Sequence, residues 1–402
     1  MEGQMVGQSI LMLCKAFPPV AGGVETYSEE VARAYRKRNI EVAVITQTTG
    51  TRGWHTRDYP EGPIEVFNTG PGGQLATATK MMNAVRKATS DSHFDLYHAT
   101  TWRPALSLVA AVRQRPLILT VHGREVCSPP RILEPVMRRV IRRADLIVNV
   151  STETMRRAIA VVGAPDSKSS WIVAGNGITR FSGQNQGKPR TTGDVAGSRP
   201  VRILTLARLV ERKNIGGCIS ALHAIHISGT TEFEYKVAGN GPLFDSLNDQ
   251  IKSAGFDEKV ELLGYVDDER IAELYEWADI FLHPQITVNS GKDFEGFGLT
   301  IADAMSFGCL AIAGQGAGPD DFIQHGVTGL LVDGSNLEDL RTTLDSVMTN
   351  FAAYHVMARA GQAFVTNELS WQRHVDTVLL AFEAGKSQNG PRPSTNNGQP
   401  DR

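Results

Sequence analysis

Short apolar runs alternate with amphipathic helical stretches along the first half of the chain. Ser9–Cys14 and Glu41–Thr46 read as buried strands, with a helix over Val24–Lys37 between them. Asp95–Tyr97, Leu117–Val121, Leu146–Val150 and Ser170–Val173 continue the strand series. Strand–helix alternation of this kind predicts a parallel sheet with helices on both faces. A polar segment rich in Gly, Pro and Lys, Ser182–Pro200, then interrupts the pattern and reads as a linker. The alternation restarts at Val201–Leu206 and continues through Tyr235–Ala238, Val260–Leu263, Ile280–His283, Leu310–Ala313 and Gly329–Val332. The expected architecture is therefore α/β with two Rossmann-like domains, residues 1–181 and 201–385, facing each other across a cleft. Residues 386–402 lack apolar periodicity and are expected to form a disordered tail.

Composition supports this division. At 402 residues the chain is too long for one ordinary core, and 41% apolar with 21% charged residues is the balance of a soluble enzyme. Cys14, Cys127, Cys218 and Cys309 lie far apart without a CxxC pair, so neither a disulfide framework nor a zinc site is expected. No signal-peptide h-region and no run of about 20 apolar residues is present, which points to the cytoplasm. The net charge of −2 conceals an asymmetry: residues 1–181 hold 23 Lys/Arg against 15 Asp/Glu, and residues 182–402 hold 18 against 28. A basic first half suits an anionic partner, either a phosphate or a membrane surface. No nucleic-acid partner is expected.

The densest candidate chemistry lies in Asp293–Gly308. Glu295 precedes a glycine turn, a helix follows, and Asp303 sits eight residues further on. Gly296 and Gly298 let backbone N–H groups approach a ligand, and a helix start favours phosphate. Carboxylates on either side of that seat can accept hydrogen bonds from sugar hydroxyls, the layout of a nucleotide-sugar site. Gly22-Gly23, between the first strand and helix, is either a second anion seat or an ordinary βα turn. No GxGxxG follows the first strand, which argues against a nicotinamide or flavin dehydrogenase. Arg208 and Lys213 follow Val201–Leu206 at a strand's carboxyl end, where they could neutralise a diphosphate or form a solvated surface pair. Arg212 is expected to face outward. His122-Gly123 ends another strand as a catalytic or structural histidine. Gly241, in the turn Gly239–Pro242, and Asn176, before Gly177, mark turns with or without ligand contact.

Several segments together resemble the retaining, nucleotide-sugar-dependent glycosyltransferases of the GT-B fold, specifically family 4 (group 1). They are Phe17-Pro-Pro-Val-Ala-Gly-Gly-Val-Glu25, Asn176-Gly-Ile, Ala207-Arg-Leu-Val-Glu-Arg-Lys213 and Val237-Ala-Gly-Asn-Gly-Pro242. Leu263-Gly-Tyr-Val266, the Glu295 motif and Gly326-Val-Thr-Gly-Leu-Leu-Val332 complete the set. The resemblance implies transfer of a hexosyl unit from a UDP- or GDP-sugar to a glycan or polyprenyl-linked acceptor, without a metal or other cofactor. It places Gly22 and Gly23 near the donor phosphate or the acceptor, and His122 near the anomeric carbon. Arg208 and Lys213 would bind the diphosphate and Glu295 the donor-sugar hydroxyls. The backbone of Phe297, Gly298 and Leu299 would cradle the phosphates, and Asp303 would stand at the ribose. Asp303 and Asp321 replace the family's usual glutamates, Asn214 a glycine, and Ile178-Thr179 a Val-Asp pair. The shorter carboxylates imply weakened or retuned donor binding. A nucleotide-sugar epimerase and a non-catalytic nucleotide-sugar-binding subunit are the alternative functions. On the acceptor side, Arg131–Arg143 alternates basic and apolar positions at helical spacing, and Lys80–Lys87 adds a second basic helix. These could rest on anionic lipid at the inner face of a cell membrane, or be ordinary packed helices with solvated basic faces.

Overall fold

The computed structural model describes residues 8–20, 22–112, 116–165, 169–181, 186, 199–229 and 231–389. Among these, the first half forms an eight-stranded sheet from β1 (Ser9–Leu13), β2 (Glu41–Thr46), β3 (Gly53–Arg57), β4 (Ile64–Asn68), β5 (Leu96–Ala99), β6 (Leu117–Val121), β7 (Leu146–Asn149) and β8 (Ser170–Val173). The strand order is β3-β4-β2-β1-β5-β6-β7-β8. The connecting helices are α1 (Gly23–Lys37), α2 (Gln74–Asp91), α3 (Trp102–Ala111), α4 (Arg124–Cys127), α5 (Glu134–Arg143) and α6 (Thr152–Val162). Buried Tyr27, Val31 and Tyr35 recur at four-residue spacing on α1, which lays one stripe on the sheet.

The second half forms a six-stranded parallel sheet of order β11-β10-β9-β12-β13-β14. Its strands are β9 (Val201–Leu206), β10 (Phe233–Ala238), β11 (Val260–Gly264), β12 (Ile280–His283), β13 (Leu310–Gly314) and β14 (Leu330–Val332). Helices α7 (Ile215–Ser228), α8 (Phe244–Ser253), α9 (Asp268–Trp277), α10 (Leu299–Ser306), α11 (Leu337–Thr349) and α12 (Phe351–Glu368) complete it, and α13 (Trp371–Asn389) follows in the chain.

Two features depart from the sequence expectation. The first sheet is mixed, because β3 pairs antiparallel with β4 at its edge. Neither strand is a continuous apolar run, since β3 is partly shielded only at alternate positions and β4 buries only Ile64, Val66 and Asn68. The second feature corrects the domain boundary. Helix α13 begins within 201–385 by sequence, yet it packs on α1, β7 and β8 of the first lobe. Val375, Val378, Leu379 and Phe382 join the apolar cluster of Ile10, Tyr27, Val31 and Val148, which continues into Phe297 and Ile301 of the second lobe. The expected tail begins inside α13, which runs to Asn389; residues 390–402 lie outside the described residues, as does the linker apart from Gln186, Arg199 and Pro200.

A buried polar chain accompanies that crossing. The carbonyl of Gly175 accepts from His374 Nδ1 at 3.0 Å, so His374 Nε2 accepts from the Tyr27 hydroxyl at 2.9 Å. Thr120 then donates to Tyr27 at 2.8 Å, and His98 Nε2 donates to Thr120 at 2.8 Å. Tyr35 donates to His98 Nδ1 at 3.0 Å. Burial pushes His98 down to about 3 and His374 to about 4, so both rings are neutral and the proton order is single-valued. Replacing His374→Ala leaves the Tyr27 hydroxyl and the Gly175 carbonyl each short of a partner. The expected loss is about 1–3 kcal/mol, read as a lower urea midpoint at unchanged slope.

Candidate active site

The two lobes meet where the carboxyl ends of their strands face each other. Beyond β6, the carbonyl of His122 stands so close to Gly296 that a β-carbon there would lie 2.2 Å from it, which explains glycine at that position. Thr154 Oγ1 donates to the Gly296 carbonyl at 3.3 Å, and the N–H of Thr152, at the start of α6, donates to Asp321 Oδ2 at 2.7 Å. Arg157 lies over the Phe294 ring at 4.3 Å and donates to the Gly291 carbonyl. Gly23 approaches Leu299, with a β-carbon position 3.7 Å from Leu299 Cδ1.

In the second lobe a charge cluster closes around Glu295. Arg212 donates to Glu295 Oε2 at 2.6 Å, and Lys213 Nζ, almost fully buried, donates to the same oxygen. His283, at the end of β12, lies 3.0 Å from Lys213 Nζ and 3.5 Å from Glu295 Oε2. Burial pushes Lys213 down to about 8 and His283 to about 4, while the two cations hold Glu295 well below the usual carboxylate range. Oε1 of Glu295 accepts no hydrogen bond from the described residues. The expectation for Arg212 is therefore corrected: it turns inward, reaching Asp293 at 3.4 Å as well as Glu295. The reason is electrostatic, since two acidic groups beneath the loop outweigh solvation of one guanidinium. Arg208, unlike Arg212 and Lys213, is exposed.

The Gly239–Pro242 turn braces this loop from behind. A β-carbon on Gly241 would lie 2.3 Å from the Leu209 carbonyl, and the Leu209 N–H donates to the Asn240 carbonyl at 3.0 Å. Gly298 adopts a left-handed conformation, φ 97°, at the head of α10, where the Ile301 N–H donates to the Gly298 carbonyl at 3.0 Å and the N–H groups of Leu299 and Thr300 precede any intrahelical acceptor. Phe297 buries its ring against Phe322, centroids 5.0 Å apart, so only its backbone is available to a ligand. Asn214, in the place of a glycine, keeps a left-handed conformation at φ 54° and ties Pro284 and Gly334 through its amide.

In the first lobe, His122 donates Nε2–H to the Thr100 carbonyl at 3.0 Å, leaving Nδ1 as the acceptor. Removal from water pushes its pKa down to about 4, so the ring is neutral near pH 7. It sits edge-on to Tyr27 at 4.7 Å, which joins it to the buried chain under α13. Gly22 caps α1 and is exposed, as is Gly23. Asn176 is buried, and its Oδ1 has no partner among the described residues. The segment continues alongside the entry to α13, with the Ile178 N–H donating to the Leu369 carbonyl at 3.2 Å. Asp303 does not line an open wall. It is buried and accepts from the Thr179 N–H at 2.6 Å, across the lobes. Sequence patterning assigned no role to His283, whose strand-end position was the available signal.

Comparison with known proteins agrees with this geometry. Residues 22–171 match the Glycosyl transferase 4-like domain and residues 195–364 match Glycosyl transferases group 1. The chain belongs to the group 1 glycosyltransferases of family 4, and its fold is GT-B. It is 25% identical over 375 residues to a GDP-mannose-dependent alpha-(1-6)-phosphatidylinositol monomannoside mannosyltransferase of Mycobacterium tuberculosis, covering 90% of this chain and 94% of the relative. It is 28% identical to the amylovoran biosynthesis glycosyltransferase AmsK of Erwinia amylovora, over 67% of this chain and 64% of the relative. The structure of Anabaena Alr3699/HepE in complex with UDP and glucose superimposes with a TM-score of 0.72 at 20% identity, covering 94% of this chain and all of that one. The protein is thus a glycosyltransferase, and the relatives named here are transferases, not epimerases.

Asp303 yields a pH test. Burial raises its pKa from 3.8 to about 7, so the folded state binds its proton more tightly than the unfolded chain does. Its contribution to stability is full below about pH 4 and is lost as pH rises through about 7. Relative to wild type, Asp303→Asn should therefore gain about 2–4 kcal/mol across that window and stay level above it, measured by urea unfolding at several pH values.

Proposed function

We propose that the protein transfers a hexosyl unit, with retention, from a UDP- or GDP-sugar to a hydroxyl of a glycan or lipid-linked acceptor. The setting would be cell-envelope or exopolysaccharide biosynthesis. The observation that carries the proposal is the cluster at Glu295. Lys213 and Arg212 both bind Oε2. That holds the carboxylate ionised with Oε1 left to accept from a donor-sugar hydroxyl. The mycobacterial relative's GDP-mannose and the UDP and glucose of the Anabaena structure support a nucleotide-sugar donor.

In this scheme Arg208, Lys213 and the head of α10, Phe297–Leu299, take up the diphosphate charge, so no metal ion is required. The acceptor oxygen bonds to the anomeric carbon on the face from which the diphosphate leaves. The anomeric carbon–oxygen bond breaks, and the acceptor's proton passes to the departing phosphate oxygen. His122, neutral, faces that centre from the first lobe, while Gly22 and Gly23 bring the backbone of the α1 start close to the reactants. Closure of the lobes excludes water.

Arg208 is exposed and holds no core contact, so Arg208→Ala should fold normally and lose about 10²–10³-fold in turnover. The assay is nucleoside-diphosphate release from UDP- and GDP-sugars with a membrane lipid extract, in the presence of EDTA. Near-normal turnover of the variant would refute the phosphate role, and loss of wild-type turnover in EDTA would refute metal independence.

The acceptor is proposed to be met at a membrane face. Ile132 is 85% exposed beside exposed Arg131, with Arg139 and Arg142 exposed on α5. This mixed apolar and cationic patch suits anionic headgroups. The wild-type protein should float with phosphatidylglycerol vesicles and not with phosphatidylcholine ones; equal flotation with both would overturn the membrane role.

A further inference from the structure

A cavity of about 490 Å³ opens on the first lobe, away from the Glu295 cluster, between the β1–α1 loop, the β2–β3 turn and the β3–β4 hairpin. Its volume lies within the roughly 300–1,000 Å³ of small-molecule sites. Its walls are tied together by hydrogen bonds among the lining residues and their neighbours. Asn68 is buried and commits its amide to backbone: Oδ1 accepts from the N–H groups of Thr48 and Gly70 at 3.0 and 2.9 Å, and Nδ2 donates to the Thr51 carbonyl at 3.0 Å. Thr48 Oγ1 donates to the Phe17 carbonyl at 2.9 Å. Arg57 donates to the Pro18 carbonyl at 2.9 Å and stacks its guanidinium over the Phe17 ring. Three loops from separate parts of the chain are thus fixed around one space.

The groups these bonds leave over define what would fit. Thr49, Thr51 and Asp58 line the cavity with exposed side chains. Glu29, on α1, accepts from the Tyr59 hydroxyl through Oε1 at 2.7 Å and keeps its second oxygen. Two carboxylates accompany one guanidinium that is already engaged, which disfavours a phosphate or an anionic headgroup. Carboxylates that accept, threonine hydroxyls that donate or accept, and the side of a tyrosine ring match the hydroxyls and C–H faces of a neutral sugar. Position supports the same conclusion. Pro18 and Pro19 of the cavity wall belong to the loop that runs into Gly22 and Gly23, which faces Leu299 across the cleft.

We propose that this cavity is a carbohydrate subsite that holds a neutral sugar ring of the acceptor by its hydroxyls, with Asp58, Thr51 and Glu29 as specificity-determining residues. The proposal rests on the transferase function above and adds the chemical class of the recognised acceptor portion. The test uses the full chain with Asp58→Asn and Thr51→Val, both at exposed positions, singly and together. Saturation-transfer NMR with methyl α-mannopyranoside and methyl α-glucopyranoside should show a signal in the wild type that falls at least about tenfold in the double variant. UDP and GDP binding should be unchanged. In the transfer assay, acceptor KM should rise about tenfold, with kcat and donor KM held. Unchanged saturation transfer and acceptor KM would overturn the subsite, as would loss of the sugar signal on adding inorganic phosphate. If no donor is turned over but the variants still lose sugar binding, the transfer function fails while the subsite stands.

Discussion

The crossing of α13 back to the first lobe is the constraint from which the rest of the arrangement follows. A chain of six groups, from Tyr35 through His98, Thr120, Tyr27 and His374 to the Gly175 carbonyl, lies under that helix with each proton assigned by its neighbours. A buried polar group without a partner is costly, so the chain is stable only in the register that pairs all of them. Apolar packing by Val375, Val378 and Phe382 supplies area; the polar chain supplies alignment. Since α13 leaves the second lobe to reach this seat while α12 stays packed on α10 and β13, the seat sets how the two sheets face each other. It also reaches the cleft, because Tyr27 packs on His122.

The second lobe brings a different economy of charge. Lys213 is a buried cation, and burial alone would favour its neutral form. Glu295 offsets that by accepting from Lys213 and Arg212 at one oxygen, and His283 stays neutral beside them. The carboxylate is ionised and oriented before any ligand arrives, which is what a group meant to accept from sugar hydroxyls requires. Across the cleft, Asp321 on the α6 N-terminus and Asp303 on the Thr179 N–H act as carboxylates that hold one lobe to the other. Both are shorter than the glutamates usual in the family, and both are committed to backbone donors of the first lobe.

Much of this was legible in the chain. Strands of the parallel sheets carry largely apolar runs, so β2, β6, β8, β9 and β12 were delimited to the residue. The Glu295 segment, with its glycines and following helix, marked the site because such a combination has few structural uses. The β3–β4 hairpin was missed because neither strand is a continuous apolar run: Trp54 and Thr56 of edge strand β3 face water, and β4 alternates buried Ile64, Val66 and Asn68 with exposed Glu65 over only five residues. Arg212 was expected outward, since the sequence does not show that Asp293 and Glu295 come to lie against it.

The sequence by itself determined two α/β lobes, the strand ends that carry the chemistry, and the family of glycosyltransferases to which the chain belongs. Those properties are local: they depend on hydrophobic period, glycine at turns, and residue types at fixed spacing. Tertiary structure alone decided that α13 belongs to the first lobe, that Arg212 and His283 join Glu295, and that Asp303 meets Thr179. Apart from His283, which lies 12 positions before Glu295, these are contacts between residues about 80 to 350 positions apart, and no periodicity within a segment encodes what it will face. The partner of a buried charge is chosen by the fold as a whole, because desolvation is imposed by every element that packs around it.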